Sequence, residues 1–397
     1  MIQTEKKSNH WKRIAIFGIS LLGTLCTGAQ SSTQTSIHHQ YQSPRPLGMG
    51  DAFVAVASDY NALLYNPAGL ARLEDGQINL SMDLAASSSF QKFAADVDTA
   101  GKAGTTTDKT TAFTTLLQSN YGRQFSMRTG LFEGIWVRPN WGVAFVPADF
   151  TMDMQIHDLV GPAIDLKIYA DSTLAYGYGH DIKGVDGRLS WGVTGKFINR
   201  GFASKQLIPL DLAADSKLIK TDDFQEGYTV DADVGLLYTP FLPSEGFFSL
   251  FRLAKPTFGV VTRNVAGVGF GQSLKLFNKN KTDAPEPLYR VLDVGAKFEY
   301  PNLWIFSGRG AIDIRDIGHP NFNGRKGLHA GLEFDWRVAS WWKGSYRVGL
   351  SQGYFTAGVS ALFTLFNLDL VTYADDIGTY DSPKESRMYM LKLNMDI

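Results

Sequence analysis

The sequence predicts an all-β protein: a transmembrane antiparallel β-barrel of about fourteen strands with an N-terminal hatch, or plug, in its lumen. Three observations carry this. Segments along most of the chain alternate apolar and polar residues with period two. Many reach about ten residues, the length a tilted span needs, whereas soluble strands are usually about half that. The tryptophans also sort by the parity of the turns beside them.

The organisation read from the N-terminus is a signal peptide over 1–29, a tail and hatch over 30–76, and the barrel over 77–397. Lys6, Lys7, Lys12 and Arg13 form a basic start, Ile14 to Leu25 is apolar, and Thr27-Gly28-Ala29 supplies the small residues that signal peptidase needs. The apolar run is too short to cross roughly 30 Å of hydrocarbon as a helix. Cys26 falls inside this leader after the bulky Leu25, which argues against lipid anchoring, and the chain from Gln30 onward has no cysteine. Net charge is −1 for the whole chain, and loss of the leader's four basic residues and Glu5 makes it −4. That balance excludes a nucleic-acid footprint. The 40 Gly, 26 Phe, 16 Tyr and 8 Trp favour strands and tight turns over helices.

The strands are expected at 77–86, 128–138, 141–147, 164–178, 188–200, 226–240, 255–265, 288–300, 306–316, 326–337, 342–350, 353–363, 366–375 and 387–397. Two show the pattern best. Tyr228, Val230, Ala232, Val234, Leu236 and Tyr238 alternate with residues that include Asp231 and Asp233. Leu328, Ala330, Leu332, Phe334 and Trp336 alternate with His329, Gly331, Glu333 and Asp335. One face of each suits lipid and the other a hydrated or ion-paired lumen.

Odd-numbered connections are mostly long (87–127, 148–163, 201–225, 266–287), and even-numbered ones such as Pro139-Asn140 and Thr364-Leu365 are mostly brief. Short turns belong in the periplasm and long loops outside. The exception is 241–254, whose Phe247, Phe248, Leu250 and Phe251 read as an interfacial helix. Seven tryptophans follow the leader: Trp136, Trp141, Trp191, Trp304, Trp336, Trp341 and Trp342. All fall at or beside even-numbered turns, where indole would sit in the headgroup layer at the periplasmic rim. The chain end also alternates, with Tyr389, Leu391, Leu393, Met395 and Ile397 on one face.

Residues 41–75 are too apolar for a solvated tail and too short to fold alone, so they must dock, and the lumen is the available place. Gly48 and Gly50 permit a sharp bend, Ser58 or Asp59 can cap a short helix, and Pro67 stops it. Gly48-Met49-Gly50, the run from Ala52 to Ala57, and Asn66-Pro67-Ala68-Gly69-Leu70 together resemble the FadL/TodX-like superfamily of outer-membrane proteins. The resemblance implies a fourteen-stranded barrel, Gly48, Met49, Gly50, Asn66, Pro67, Ala68 and Gly69 as hatch residues, and uptake of fatty-acid-like or aromatic compounds. PorV-like and TraF-like relatives, associated with protein secretion and conjugation, keep a second role open. The expected partners are outer-membrane lipid, a hydrophobic cargo and the barrel-assembly machinery, with secretion-system proteins for the second role.

Three further groups of residues are candidates. Phe113, Leu116 and Leu117 of one long loop and Phe202, Leu207 and Ile208 of another offer apolar capture surface, or ordinary loop packing. Asp231, Asp233, Asp293, Lys297, Glu299, Asp313, Arg315, Glu333, Asp335, Arg337 and Arg347 are expected to line the lumen. Their mixed signs suit cross-linking that holds a plug, while Arg315, Arg337 and Arg347 also suit a substrate carboxylate. Pro147 cannot donate a ladder hydrogen bond, so it either ends the third strand or, as the resemblance implies, weakens the wall as a lateral gate. No catalytic site, cofactor or metal is expected: G-x-S-x-G, Walker and CxxC motifs are missing, and the histidines lack ligand spacing apart from the adjacent His38 and His39. His329 and Glu333 share a strand face but lie roughly 13 Å apart along it, too far for a hydrogen bond.

Overall fold

The structure, a computed structural model, describes residues 35–397 apart from 160, 215–218, 244, 247–248, 277–278, 280–282, 304–305, 340 and 397. The expected signal peptide, Trp304, Phe247, Phe248 and Ile397 lie outside the described residues. The strands are β1 Gln77–Ser87, β2 Gln124–Arg138, β3 Trp141–His157, β4 Ala163–Ile182, β5 Arg188–Leu207, β6 Gln225–Thr239 and β7 Thr257–Arg263. The second half holds β8 Val291–Leu303, β9 Phe306–Ile317, β10 Leu328–Ala339, β11 Trp342–Ser351, β12 Tyr354–Phe363, β13 Phe366–Asp376 and β14 Glu385–Asp396. Each pairs antiparallel with its sequence neighbours, and β1 pairs with β14 to close the barrel. Closure leaves no unpaired edge, as hydrocarbon demands.

Burial is inverted relative to a soluble protein. Leu80, Met82 and Leu84 of β1 are exposed while Asn79, Ser81 and Asp83 are buried. On β14, Leu391 and Leu393 face out while Lys392 and Asn394 are buried; on β6, Val234 and Leu236 face out while Asp231 and Asp233 are buried. Such a surface is stable only against lipid.

All fourteen expected strands are present, with corrected lengths on one side. The third strand does not end at Pro147 but runs on to His157, and β4 and β5 reach 20 residues each. The reason is that β2 to β5 rise above the apolar band as an extension whose outer face has its own cover. Helices Phe90–Gly101, Thr106–Ser119 and Pro209–Ala214 supply that cover. The apolar 241–254 stretch contains one helical turn, Ser249–Arg252.

Orientation follows from the rims. Trp136 and Trp141 flank the β2–β3 turn with ring centroids 5.0 Å apart, and Trp336, Trp341 and Trp342 flank the β10–β11 turn. Trp191 lies near the start of β5, after the β4–β5 turn. The six described tryptophans therefore share one rim, the rim where β1 begins and β14 ends, since Asn79 pairs with Asp396.

Candidate functional site

The N-terminal segment lies along the inner faces of the strands and touches most of the wall. Thr35 donates to the carbonyls of Ile377 and Gly378 in the β13–β14 connection, far from the tryptophan rim. His38 stacks on Tyr169 at 3.8 Å, and burial holds its imidazole down at about 4 although Asp171 pulls the other way. His39 meets Asp316 at 2.9 Å; burial opposes its charge, but Asp316 raises it above the ordinary range. The chain then descends through a short helix, Pro44–Gly48, a second, Ala62–Tyr65, and a 3-10 segment, Pro67–Arg72, before entering β1.

The wall is shaped to receive this backbone. A Cβ on Gly331 or Gly349, which pair across β10 and β11, would strike the Met49 backbone. Gly50 adopts φ +66°, its N–H donates to Thr356 Oγ1 at 3.0 Å, and its carbonyl accepts from His329 Nδ1 at 2.7 Å. At the other end, Gly192 and Gly235 make room for Pro67 and Asn66, and a Cβ on Gly179 would sit 2.8 Å from the Pro67 carbonyl. Sequence reasoning missed these wall glycines. The signal was there, as glycines at lumen-facing positions of neighbouring strands.

Asn66 explains the turn motif. Its side-chain amide donates to the Val54 carbonyl at 2.8 Å and to the Leu236 carbonyl at 3.3 Å, and its oxygen accepts from Ala68 N–H. One side chain thus ties the hatch to itself and to β6, and Pro67 can start the next turn because its missing N–H is needed by nothing there. Ala68 is fully buried with Ala55 and Leu237, and a Cβ on Gly69 would meet the Ala57 carbonyl.

Charges secure the hatch to the wall. Arg45 grips both oxygens of Glu333, at 2.8 and 2.7 Å, and also reaches Asp59 at 2.7 Å. Glu333 further receives Arg347 at 2.7 Å and Arg309 at 3.3 Å. Arg315 pairs with Asp51 of the hatch, and Asp313 accepts the backbone N–H of Phe53 at 2.5 Å and of Val54 at 2.7 Å. Arg263 donates to the carbonyls of Leu64 and Tyr65, the end of a helix that otherwise leaves them unsatisfied.

These contacts sort the expected lumen residues. Arg315 and Arg347 are engaged by acidic partners, so they are not free carboxylate receptors. Asp233 pairs with Lys196 at 2.8 Å, and Asp293 with Arg263 at 2.8 Å. Asp231 works differently from expectation: it accepts backbone N–H groups of Ala266 and Gly267, holding the β7–β8 loop. Arg337 is a correction. It is exposed near the tryptophan rim, where the β10–β11 register shifts, and has no ion pair among the described residues.

The expected capture residues do not form one surface. Phe113 and Leu117 are buried with Leu207 in a cluster that includes Phe125, Ile156, Leu166 and Ile168, on the outer face of the raised wall. Leu116 packs at its margin. Phe202 belongs to β5 rather than a loop and faces inward, 5.1 Å from the Tyr169 ring, while Ile208 is exposed. The loop reading failed at Phe202 and Leu207 because β5 continues through both and ends just before Ile208.

Beneath that cluster the ladder is interrupted across three strand pairs. β1–β2 pairing shifts between Ser81 and Asp83, and β2–β3 pairing jumps from Leu131–Ala148 to Gly134–Phe145. β3–β4 pairing shifts between Val146 and Asp149. Phe132, opposite the gap, has φ +56° and is 74% exposed. Ser172 donates to the Pro147 carbonyl at 2.6 Å, a side-chain substitute for a ladder bond. Pro147 therefore interrupts a strand that continues; it does not end one.

A closed fourteen-stranded barrel of outer-membrane type, its lumen occupied by the chain's own N-terminal segment, is the class these observations define. Among solved structures it is similar to the CymD monoaromatic hydrocarbon channel, with 10% identity, 89% of this chain and 96% of that chain covered, and a TM-score of 0.45. It is also similar to a Pseudomonas aeruginosa FadL homologue, at 8% identity over 91% and 99% of the chains and a TM-score of 0.42. The Ralstonia pickettii toluene transporter TbuX matches at 10% identity over 89% and 98%, with a TM-score of 0.43. No family profile matches the chain. No curated protein matches it.

Proposed function

We propose that this protein is an outer-membrane channel for hydrophobic small molecules, fatty-acid-like or aromatic, which leave the barrel sideways into lipid. The observation that carries the reading is the interrupted ladder of β1 to β4, directly below the lobe that the Phe90–Gly101, Thr106–Ser119 and Pro209–Ala214 helices cover. A greasy solute gains nothing from an aqueous pore, and its lowest-energy path runs along apolar surface. Exposed Leu131, Phe132 and Phe145 offer such surface beside the gap, and the seam at Pro147 is where a wall of hydrogen-bonded strands costs least to part. The hatch, tied by Arg45 and Asp51, would keep the lumen closed to water-soluble compounds while this route operates. Uptake of hydrophobic and hydrophilic tracers by cells with and without the gene tests it; equal hydrophobic uptake removes it.

A second reading, a secretion- or conjugation-associated barrel that binds protein partners, is favoured by the lumen itself. It is packed with buried ion pairs such as Lys392–Glu133 and Arg200–Asp171, poor company for an apolar cargo. That reading expects stable co-purification with envelope proteins after mild extraction, and a single clean species would count against it.

A further inference from the structure

At the end of the lumen away from the tryptophan rim, a polar cavity of about 40 Å³ lies between the tail segment and the inner faces of β2, β3, β13 and β14. Asp153 of β3 and Asp375 of β13 both line it, together with Gln124, Ser126 and Thr151. Neither aspartate is ion-paired among the described residues; Asp153 Oδ1 accepts from Ser126 Oγ at 2.5 Å and from Gln124 Nε2 at 3.2 Å, while Thr151 and the Gln124 carbonyl oxygen are left over. The cations nearby are engaged elsewhere. Arg128, also in the lining, pairs with Asp149 and donates to the carbonyls of His39 and Gln40. His39 is held by Asp316, and Lys167, across the ladder from Asp153, reaches Glu286 at 3.8 Å.

Two carboxylates facing one cavity whose lining cations, Arg128 and His39, are committed to Asp149 and Asp316 are costly, because burial penalises charge and the two repel. A second observation points the same way. Thr151 is only 9% exposed, and its hydroxyl has no hydrogen-bond partner in the protein; the Gln124 carbonyl oxygen also has none. Buried polar atoms ordinarily have partners. The lining therefore presents two acidic side chains and several neutral oxygens toward one space.

No three His, Cys, Asp or Glu side chains converge among the described residues, which argues against a zinc-type centre. Carboxylates supplemented by amide and hydroxyl oxygens and water are instead the donor set of a hard cation with flexible coordination. We propose that this cavity binds a calcium ion, held between Asp153 and Asp375 with Gln124, Ser126 and Thr151 contributing directly or through water. The ion joins β13 to β3 across the lumen and fixes the wall against which residues 36–42 rest. None of the donors is close to another in sequence except Thr151 and Asp153 or Gln124 and Ser126, so the site exists only once the barrel has closed.

The test uses the full-length protein folded in detergent micelles, stripped with a chelator and titrated with calcium chloride by calorimetry, with the thermal midpoint followed in parallel. Saturable one-site binding is expected, with a dissociation constant on the order of 10⁻⁴–10⁻³ M, the range of extracellular calcium modules. Asp375→Asn and Asp153→Asn should each weaken it about tenfold or more. Both amides are isosteric and relieve repulsion, so the metal-free variants should fold at least as well as the parent. Absence of saturable binding and of a midpoint shift at millimolar calcium would mean that the cavity holds water or a shared proton, and would overturn the proposal. Unchanged affinity in the Asp153→Asn/Asp375→Asn double variant would overturn it too, since the ion would then sit elsewhere. Magnesium binding as tightly as calcium would overturn the choice of ion.

Discussion

Glu333 is the residue whose loss should loosen the hatch most cleanly. Its carboxylate is fully buried and meets Arg45, Arg347 and Arg309 at 2.7, 2.7 and 3.3 Å. Breaking a buried ion pair from one side costs about 3–5 kcal/mol, because the partner stays buried without compensation. Here each arginine keeps another acidic neighbour: Asp59 for Arg45, Asp335 for Arg309 and Asp369 for Arg347. The lower end, about 3 kcal/mol, is therefore expected for Glu333→Gln. At 1.36 kcal/mol per decade, this raises the open population of the hatch roughly 10²-fold. Hydrogen exchange on the folded barrel in micelles should show faster exchange of the amides from Leu47 to Ala57, with β3–β5 unchanged. Unaltered hatch exchange in a folded variant would refute the claim that these charges hold the segment.

Three further outcomes follow from the same contacts. Gly331→Val should leave no room for the Met49 backbone and cost several kcal/mol, as overpacking a tight site does; protease accessibility of the hatch should rise, and Gly324→Val, where a Cβ meets open space, is the control. For His38, the folded imidazole titrates near 4 against about 6.5 when unfolded, so its contribution is present above pH 6.5 and is lost as pH falls towards 4. His38→Phe keeps the stack on Tyr169 and should reduce the acid sensitivity of tail docking, followed by proteolysis at pH 7 and pH 5; His39, whose shift has the opposite sign, should be unaffected by that change. Lipids brominated near the headgroup should quench tryptophan fluorescence more strongly than lipids brominated at the chain ends, because the described tryptophans share one rim; the reverse order would break the orientation.

Much of the architecture was legible because a barrel writes itself into period-two patterning. Leu391–Lys392–Leu393–Asn394 announces a strand with one face in lipid and one in the lumen, and the tryptophans fixed which turns share a rim. Strand ends above the membrane were not legible. There the outer face is covered by protein instead of lipid, so Phe125, Ile156 and Leu207 look like loop residues and Pro147 looks like an end. Mixed charges on the strands suggest ion pairing in the lumen, but partner choice depends on curvature and register. Nothing in sequence says that Glu333 takes Arg45 from 288 positions away, or that Arg337 drops out where the register shifts. The glycines that receive the hatch were visible yet silent, since a glycine in a strand signals close approach only once the approaching backbone is known.

The proposed side route is tested most directly by initial uptake rates for radiolabelled hydrophobic solutes in cells lacking the gene, cells with the parent protein, and cells with Pro147→Val at matched surface amounts. Valine restores a backbone donor to β3 and should strengthen the wall at the seam without altering the hatch contacts. The expected order is parent fastest, Pro147→Val intermediate and gene-less cells slowest, with a hydrophilic tracer indifferent to all three. Equal rates in parent and gene-less cells would contradict the channel, and equal rates in parent and Pro147→Val would contradict exit through the seam.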